Sequence, residues 1–156
     1  MGERLGQNEP RAFHRFLTMP SVASGRVLLF SMVLLVICDV IGGFIGVATD
    51  DETWGTAWGF DTESTVPLPV GAAQLFLAWS AARNVRPPVG RIAALILGAF
   101  CLISLLFGSF DGDLINNIAS DGLIAWGVAW AFVLLSVTAA VGLLATARAR
   151  QLRRLR

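Results

Sequence analysis

The chain has 156 residues, of which 55% are apolar and only 15% are charged, and its net charge is +1. Ordinary soluble domains are about 45–50% apolar and about 25% charged. This composition therefore excludes a typical water-soluble domain and indicates a protein whose surface faces lipid. The length allows a single domain.

Residues 1–19 form a polar segment that we predict to be cytoplasmic. Phe13, Phe16 and Leu17 occur in it at helical spacing, which places their side chains on one face of a short helix able to lie in the headgroup layer. A tail without regular structure is the alternative for this segment.

Four apolar stretches follow, and together they predict a membrane domain over residues 20–147. The predicted spans cover about 22–47, 66–85, 91–110 and 120–147. Each is long enough for a helix to cross a hydrocarbon core of about 30 Å. The first stretch is also too long for the apolar part of a signal peptide, which has about 7–15 residues.

The arginines alternate along the chain with the spans. They occur in the N-terminal segment, in the middle loop and in the basic tail 148–156, and the remaining two loops have none. Because short loops that carry arginine stay on the cytoplasmic side, the pattern predicts both termini in the cytoplasm. The fold class is thus an all-α, integral membrane four-helix bundle, N-in/C-in. The absence of lysine suggests a GC-rich bacterial genome and hence a bacterial cytoplasmic membrane.

Small side chains recur along the spans and predict where the helices approach closely. Glycine and other small residues allow close contact between helices in lipid, where the hydrophobic effect no longer drives association. The residues assigned to helix packing on this basis are Cys38, Gly42, Gly46, Gly98 and Gly127.

Asp39 is the only charged residue between Val27 and Val47 in the first span, and it is the candidate intramembrane functional site. An ionised carboxylate there costs at least about 2.5–3.5 kcal/mol, so the side chain is either protonated or faces a wet cavity. Gln74, in the second span, is the predicted hydrogen-bond partner, with Ser104 and Ser136 as further choices. Asp39 is then either a site for proton or cation coupling or for binding a cationic substrate, or a structural residue. As a structural residue it is either neutral, hydrogen-bonded and sets helix register, or is satisfied by a partner subunit.

Four spans with an acidic residue in the first resemble the small multidrug resistance transporters. The resemblance covers that arrangement alone and implies transport of a cationic substrate. This chain departs from the family in its greater length, its extra tails and its firm charge bias.

Other chemistry is sparsely represented in the sequence. His14 is the only histidine, so we predict no catalytic residues, no metal site and no cofactor. Cys38 and Cys101 are interpreted as small apolar core residues. The outer loops carry carboxylates that are either simply solvated or bind cations: Asp50, Asp51, Glu52, Asp61, Glu63, Asp111, Asp113 and Asp121.

The predicted partners follow from this chemistry. They are the lipid bilayer, anionic headgroups at the arginine-rich tail, and either further copies of the chain or a larger membrane complex, but not nucleic acid. We interpret the protein as an accessory or structural membrane protein, not an enzyme, that acts by helix–helix contacts. The alternative is a small proton- or cation-coupled transporter centred on Asp39.

Overall fold

The computed structural model describes residues 21–49, 53–59, 66–83, 87–110 and 123–154. These residues contain four α-helices and no β-strand. The helices are α1 (Ser21–Ala48), α2 (Leu68–Ala82), α3 (Pro87–Phe110) and α4 (Leu123–Arg154). The all-α class is therefore confirmed for the part of the chain that is described. The N-terminal segment 1–19 and all the outer-loop carboxylates lie outside the described residues.

Three of the helices are long and apolar enough to cross a membrane, namely α1, α3 and α4. The second helix is shorter than its predicted span: at 15 residues and 1.5 Å per residue it is about 22 Å long, against a hydrocarbon core of about 30 Å. The fourth is longer than predicted, because helix continues through the basic residues as far as Arg154.

Prolines mark the start of the short helix and the start of the next one. Pro67 is the N-cap residue of α2, and Pro69 follows in the first turn, where a missing N–H leaves no helical hydrogen bond unmade. The helix ends at Arg83, whose backbone is extended. Pro87 and Pro88 then open α3.

The helices pack in a ring in chain order. Each contacts its neighbours in sequence, α4 closes the ring against α1, and a smaller contact joins α2 to α4. Their inward faces form one apolar core, whose buried members are Leu28, Met32, Leu35, Ala78, Ala81, Ala93, Ala94, Leu97, Cys101, Val141, Ala145 and Ala149.

Large apolar side chains also cover the outside of the ring. Phe30, Phe76, Phe107, Trp126 and Leu143 are all exposed. Exposed apolar surface on this scale marks contact with a membrane or with another protein. Together with the length and hydropathy of the helices, it indicates a membrane protein.

Glycines mark the closest helix contacts. A Cβ atom on Gly25 would lie 2.6 Å from the carbonyl oxygen of Ala82, so α1 and the end of α2 touch backbone to backbone. Gly42 lies against Trp130 and Leu134 of α4, and Gly98 lies against the same helix.

The other two glycines assigned to packing differ from these. Gly46 is buried in the last turns of α1, and its carbonyl accepts a hydrogen bond from the Thr49 hydroxyl. At Gly127 no described atom lies within 4 Å of the Cβ position. Gly127 therefore makes no close helix contact in this part of the chain.

Gly25→Ala should destabilise the protein by about 1–3 kcal/mol, because the added methyl group meets backbone that cannot rotate away. Gly127→Ala is the matched control, since Gly127 is also the fifth residue of its helix and no described atom lies within 4 Å of its Cβ position. The measurement is thermal unfolding in mild detergent, followed by helical circular dichroism. Equal melting temperatures for the two variants would contradict the close contact.

Candidate functional site

The buried face of α1 carries a polar residue near each end. Ser24, Leu28, Met32, Leu35 and Asp39 are all buried, and their spacing of three or four residues puts them on one side of the helix. The apolar members belong to the core. The two polar members therefore face the neighbouring helices at two different depths.

Asp39 binds the backbone just before α2. Its side chain is 8% exposed, and its Oδ1 accepts a hydrogen bond of 2.9 Å from the backbone N–H of Val66. Val66 precedes the N-cap residue Pro67, so this N–H has no partner inside the helix. A carboxylate at this point also complements the positive end of the helix dipole.

Gln74 is not the partner of Asp39. It is 3% exposed, yet among the described residues no hydrogen bond joins it to Asp39. The contact between Gly25 and Ala82 sets the antiparallel register of α1 and α2. In that register Gln74 and Asp39 are separated by about 9 Å along the helix axis, because a helix rises by 1.5 Å per residue.

The serines considered as further partners are also placed elsewhere. The hydroxyl of Ser136 donates a hydrogen bond of 2.7 Å to the carbonyl of Phe132 in its own helix, and Ser136 is exposed. Ser104 is half-buried on α3. In the described part of the chain, neither is hydrogen-bonded to Asp39.

A second polar cluster lies at the other end of α2 and is centred on Arg148. Its Nε donates to the carbonyl of Ala81 at 3.1 Å and its Nη2 to the carbonyl of Ala82 at 3.4 Å. Nη1 donates to the Ser24 hydroxyl at 2.9 Å and to Gln151 Oε1 at 3.4 Å. Ser24 in turn donates to the same Gln151 oxygen at 2.5 Å.

This cluster satisfies the C-terminal end of α2. The last carbonyl groups of a helix accept no hydrogen bond from the N–H groups of that helix. The guanidinium group of Arg148 donates hydrogen bonds to two of these carbonyls in α2. A cation there complements the negative end of the helix dipole. Arg148 is fully buried, so the first arginine of the predicted basic tail is part of the bundle interior.

Aromatic side chains close the opposite end of the bundle, near Asp39. The indole Nε1 of Trp130 donates to the carbonyl of Cys38 at 3.0 Å, which ties α4 to α1. Trp58 packs directly on Gly43. Its ring also meets Phe44 edge-on at a centroid distance of 5.3 Å. Residues 53–59 thus fold back over the end of α1.

Sequence reasoning missed the role of Arg148, although the helical pattern contains a signal for it. Val141, Ala145, Arg148 and Leu152 recur at intervals of four, three and four residues, and all four are buried. Residues at this spacing share one face of the helix. The spacing that identifies the apolar core residues therefore also predicts that Arg148 faces the core. The role of Gly25 had no comparable signal, because it depends on the position of Ala82.

The described residues hold no group of three or more His, Cys, Asp or Glu side chains that could bind a metal ion. Cys38 and Cys101 are both buried free thiols. The chain matches no protein-family model, no curated protein and no solved structure. Functional inference therefore depends on the geometry of its own residues.

Asp39→Asn should leave folding largely intact, because the amide oxygen can still accept the hydrogen bond of Val66. Asp39→Leu should destabilise the protein by about 1–3 kcal/mol, since it leaves a buried N–H without an acceptor. Thermal unfolding in detergent measures both. Loss of expression for Asp39→Asn but not for Asp39→Leu is the outcome that contradicts a hydrogen-bonding role.

Arg148→Met should cost about 1–3 kcal/mol or more, because it leaves the carbonyls of Ala81 and Ala82 without their buried donors. Arg150→Met is the matched control on the same helix, since Arg150 is exposed and surface substitutions usually change stability by less than about 0.5 kcal/mol. Chemical denaturation in detergent compares the two variants. Equal losses of stability would show that Arg148 acts only as one more basic residue.

Proposed function

We propose that the chain is a four-span membrane protein of a bacterial cytoplasmic membrane, with both termini in the cytoplasm. The distribution of arginine supports this orientation, because each intervening outer loop lacks basic residues. Two buried ionisable side chains, Asp39 and Arg148, satisfy the ends of the short helix α2. A short helix in a membrane needs hydrogen-bond partners of this kind for its terminal N–H and C=O groups, because lipid offers none.

The function that the geometry supports best is that of an accessory or structural membrane protein, acting by helix–helix contacts with itself or a larger complex. The observation that carries this proposal is the bond between Asp39 and the backbone of Val66. The acid of the first span is engaged in holding two helices together. The exposed apolar faces of the helices offer surface for further helices as well as for lipid.

The alternative is a small proton- or cation-coupled transporter centred on Asp39. Its support is that Asp39 is the one carboxylate within the described residues and is buried among apolar helices, since intramembrane acids commonly mark ion pathways. Coupling requires that a proton or cation exchange at this carboxylate. Such exchange would have to compete with the N–H of Val66.

The proposed topology predicts which single cysteines an impermeant maleimide can reach in intact cells. Thr53→Cys should be labelled, whereas Arg83→Cys and Arg153→Cys should be labelled only after permeabilisation. The three sites are exposed in the fold. The wild-type protein is the background control, because Cys38 and Cys101 are buried. Labelling of Arg83→Cys together with Thr53→Cys would mean that α2 does not cross the membrane.

The accessory role predicts an assembly after gentle extraction from native membranes through a C-terminal tag. We expect either a stoichiometric second polypeptide or a defined homo-oligomer, measured by native mass spectrometry and protein identification. Asp39→Asn should preserve the assembly, because the contact with Val66 remains possible. A lone monomer that moves a cation across proteoliposomes, and loses this activity in Asp39→Asn, would establish the transporter instead.

A further inference from the structure

The basic residues at the end of α4 divide into one buried arginine and a group of exposed ones. Arg148 points into the bundle and binds the carbonyls of Ala81 and Ala82. Arg150, Arg153 and Arg154 are exposed and together line an open groove. Arg148 stabilises the end of α2, whereas no described contact gives such a role to the other three guanidinium groups.

The groove is strongly cationic. Within the described residues, no ion pair involves Arg150, Arg153 or Arg154, and the one described carboxylate, Asp39, lies toward the opposite end of the bundle. Guanidinium groups bind phosphate through paired N–H donors, with a geometry that ammonium groups do not match. The groove therefore suits an anion whose oxygens accept paired N–H donors, such as a phosphate group.

An exposed helical face leads from the membrane region directly into this groove. Ala129, Ser136, Leu143 and Arg150 follow one another at intervals of seven residues, which puts them on one side of α4, and all four are exposed. Leu143 is 62% exposed. Arg150 lies about 10 Å beyond it at 1.5 Å per residue. A molecule lying along this face would meet apolar side chains first and guanidinium groups next.

We propose that Arg150, Arg153 and Arg154 form a binding site for the headgroup of one anionic phospholipid, whose acyl chains lie along the exposed face of α4 through Leu143. The face is apolar at Leu143 and cationic at the arginines beyond it, so it fits a lipid, which has acyl chains and a charged headgroup, better than a soluble phosphate. The proposal needs the membrane placement of α4 but not the accessory role. Its failure would leave the search for a protein partner unaffected.

The test is lipid retention by the purified full-length protein in native mass spectrometry. Dioleoylphosphatidylglycerol is titrated against dioleoylphosphatidylcholine, which has the same acyl chains and a neutral headgroup. We expect one phosphatidylglycerol molecule to bind about tenfold more tightly than phosphatidylcholine, since each basic residue near an anionic headgroup adds to the attraction. Equal binding of the two lipids would overturn the proposal.

Two triple variants separate a defined site from general attraction between charges. One carries Arg150→Gln, Arg153→Gln and Arg154→Gln, and should lose the tenfold preference. The matched control carries Arg26→Gln, Arg83→Gln and Arg91→Gln, which remove the same charge from positions outside α4, and should keep the preference. Equal losses in the two variants would show diffuse electrostatics and contradict a site.

Two further measurements complete the test. Thermal unfolding verifies that each variant is folded, and the single variant Arg150→Gln replaces the first triple if that triple unfolds; it should also weaken phosphatidylglycerol binding. Inorganic phosphate is then added to the wild-type complex at millimolar concentration. Retention of the lipid supports a lipid site, and stoichiometric displacement would identify a soluble anion as the ligand.

Discussion

The structure depends on how the two ends of α2 are satisfied. This helix is about 22 Å long, shorter than a hydrocarbon core of about 30 Å, and polar side chains of the neighbouring helices bind backbone groups at both of its ends. Asp39 accepts from the N–H of Val66 at the start, and Arg148 donates to the carbonyls of Ala81 and Ala82 at the end. Each charge has the sign that the helix dipole favours at that position.

The two ends of α2 are held by residues from two different helices, and this arrangement couples α1, α2 and α4. Asp39 belongs to α1 and Arg148 to α4, while Ser24 of α1 joins the cluster around Arg148. The close contact between Gly25 and Ala82 then sets how far α2 extends along α1. A shift of α2 by one turn would break both polar contacts at once, so the register has a single well-determined solution.

The helices could be predicted from the sequence because each apolar run is a local property of the chain. The site could be predicted only in part. Asp39 was identified because a charge inside an apolar run is visible by itself. Its partner was not, because the choice between Gln74 and the backbone of Val66 depends on the register of two helices. The charge of Arg148 alone predicts a place in the basic tail, whereas its helical spacing from Val141 and Ala145 predicts a place in the core.

The bond between Asp39 and Val66 also constrains any activity of this carboxylate. A proton or cation that occupies Asp39 weakens its attraction for an N–H donor, because that attraction is strongest for the ionised oxygen. Occupancy would therefore loosen the start of α2, while Arg148 still holds the other end. A static scaffold requires this bond to persist, whereas a transporter would use its breaking as the moving step. The two functions differ in whether α2 moves when Asp39 changes charge.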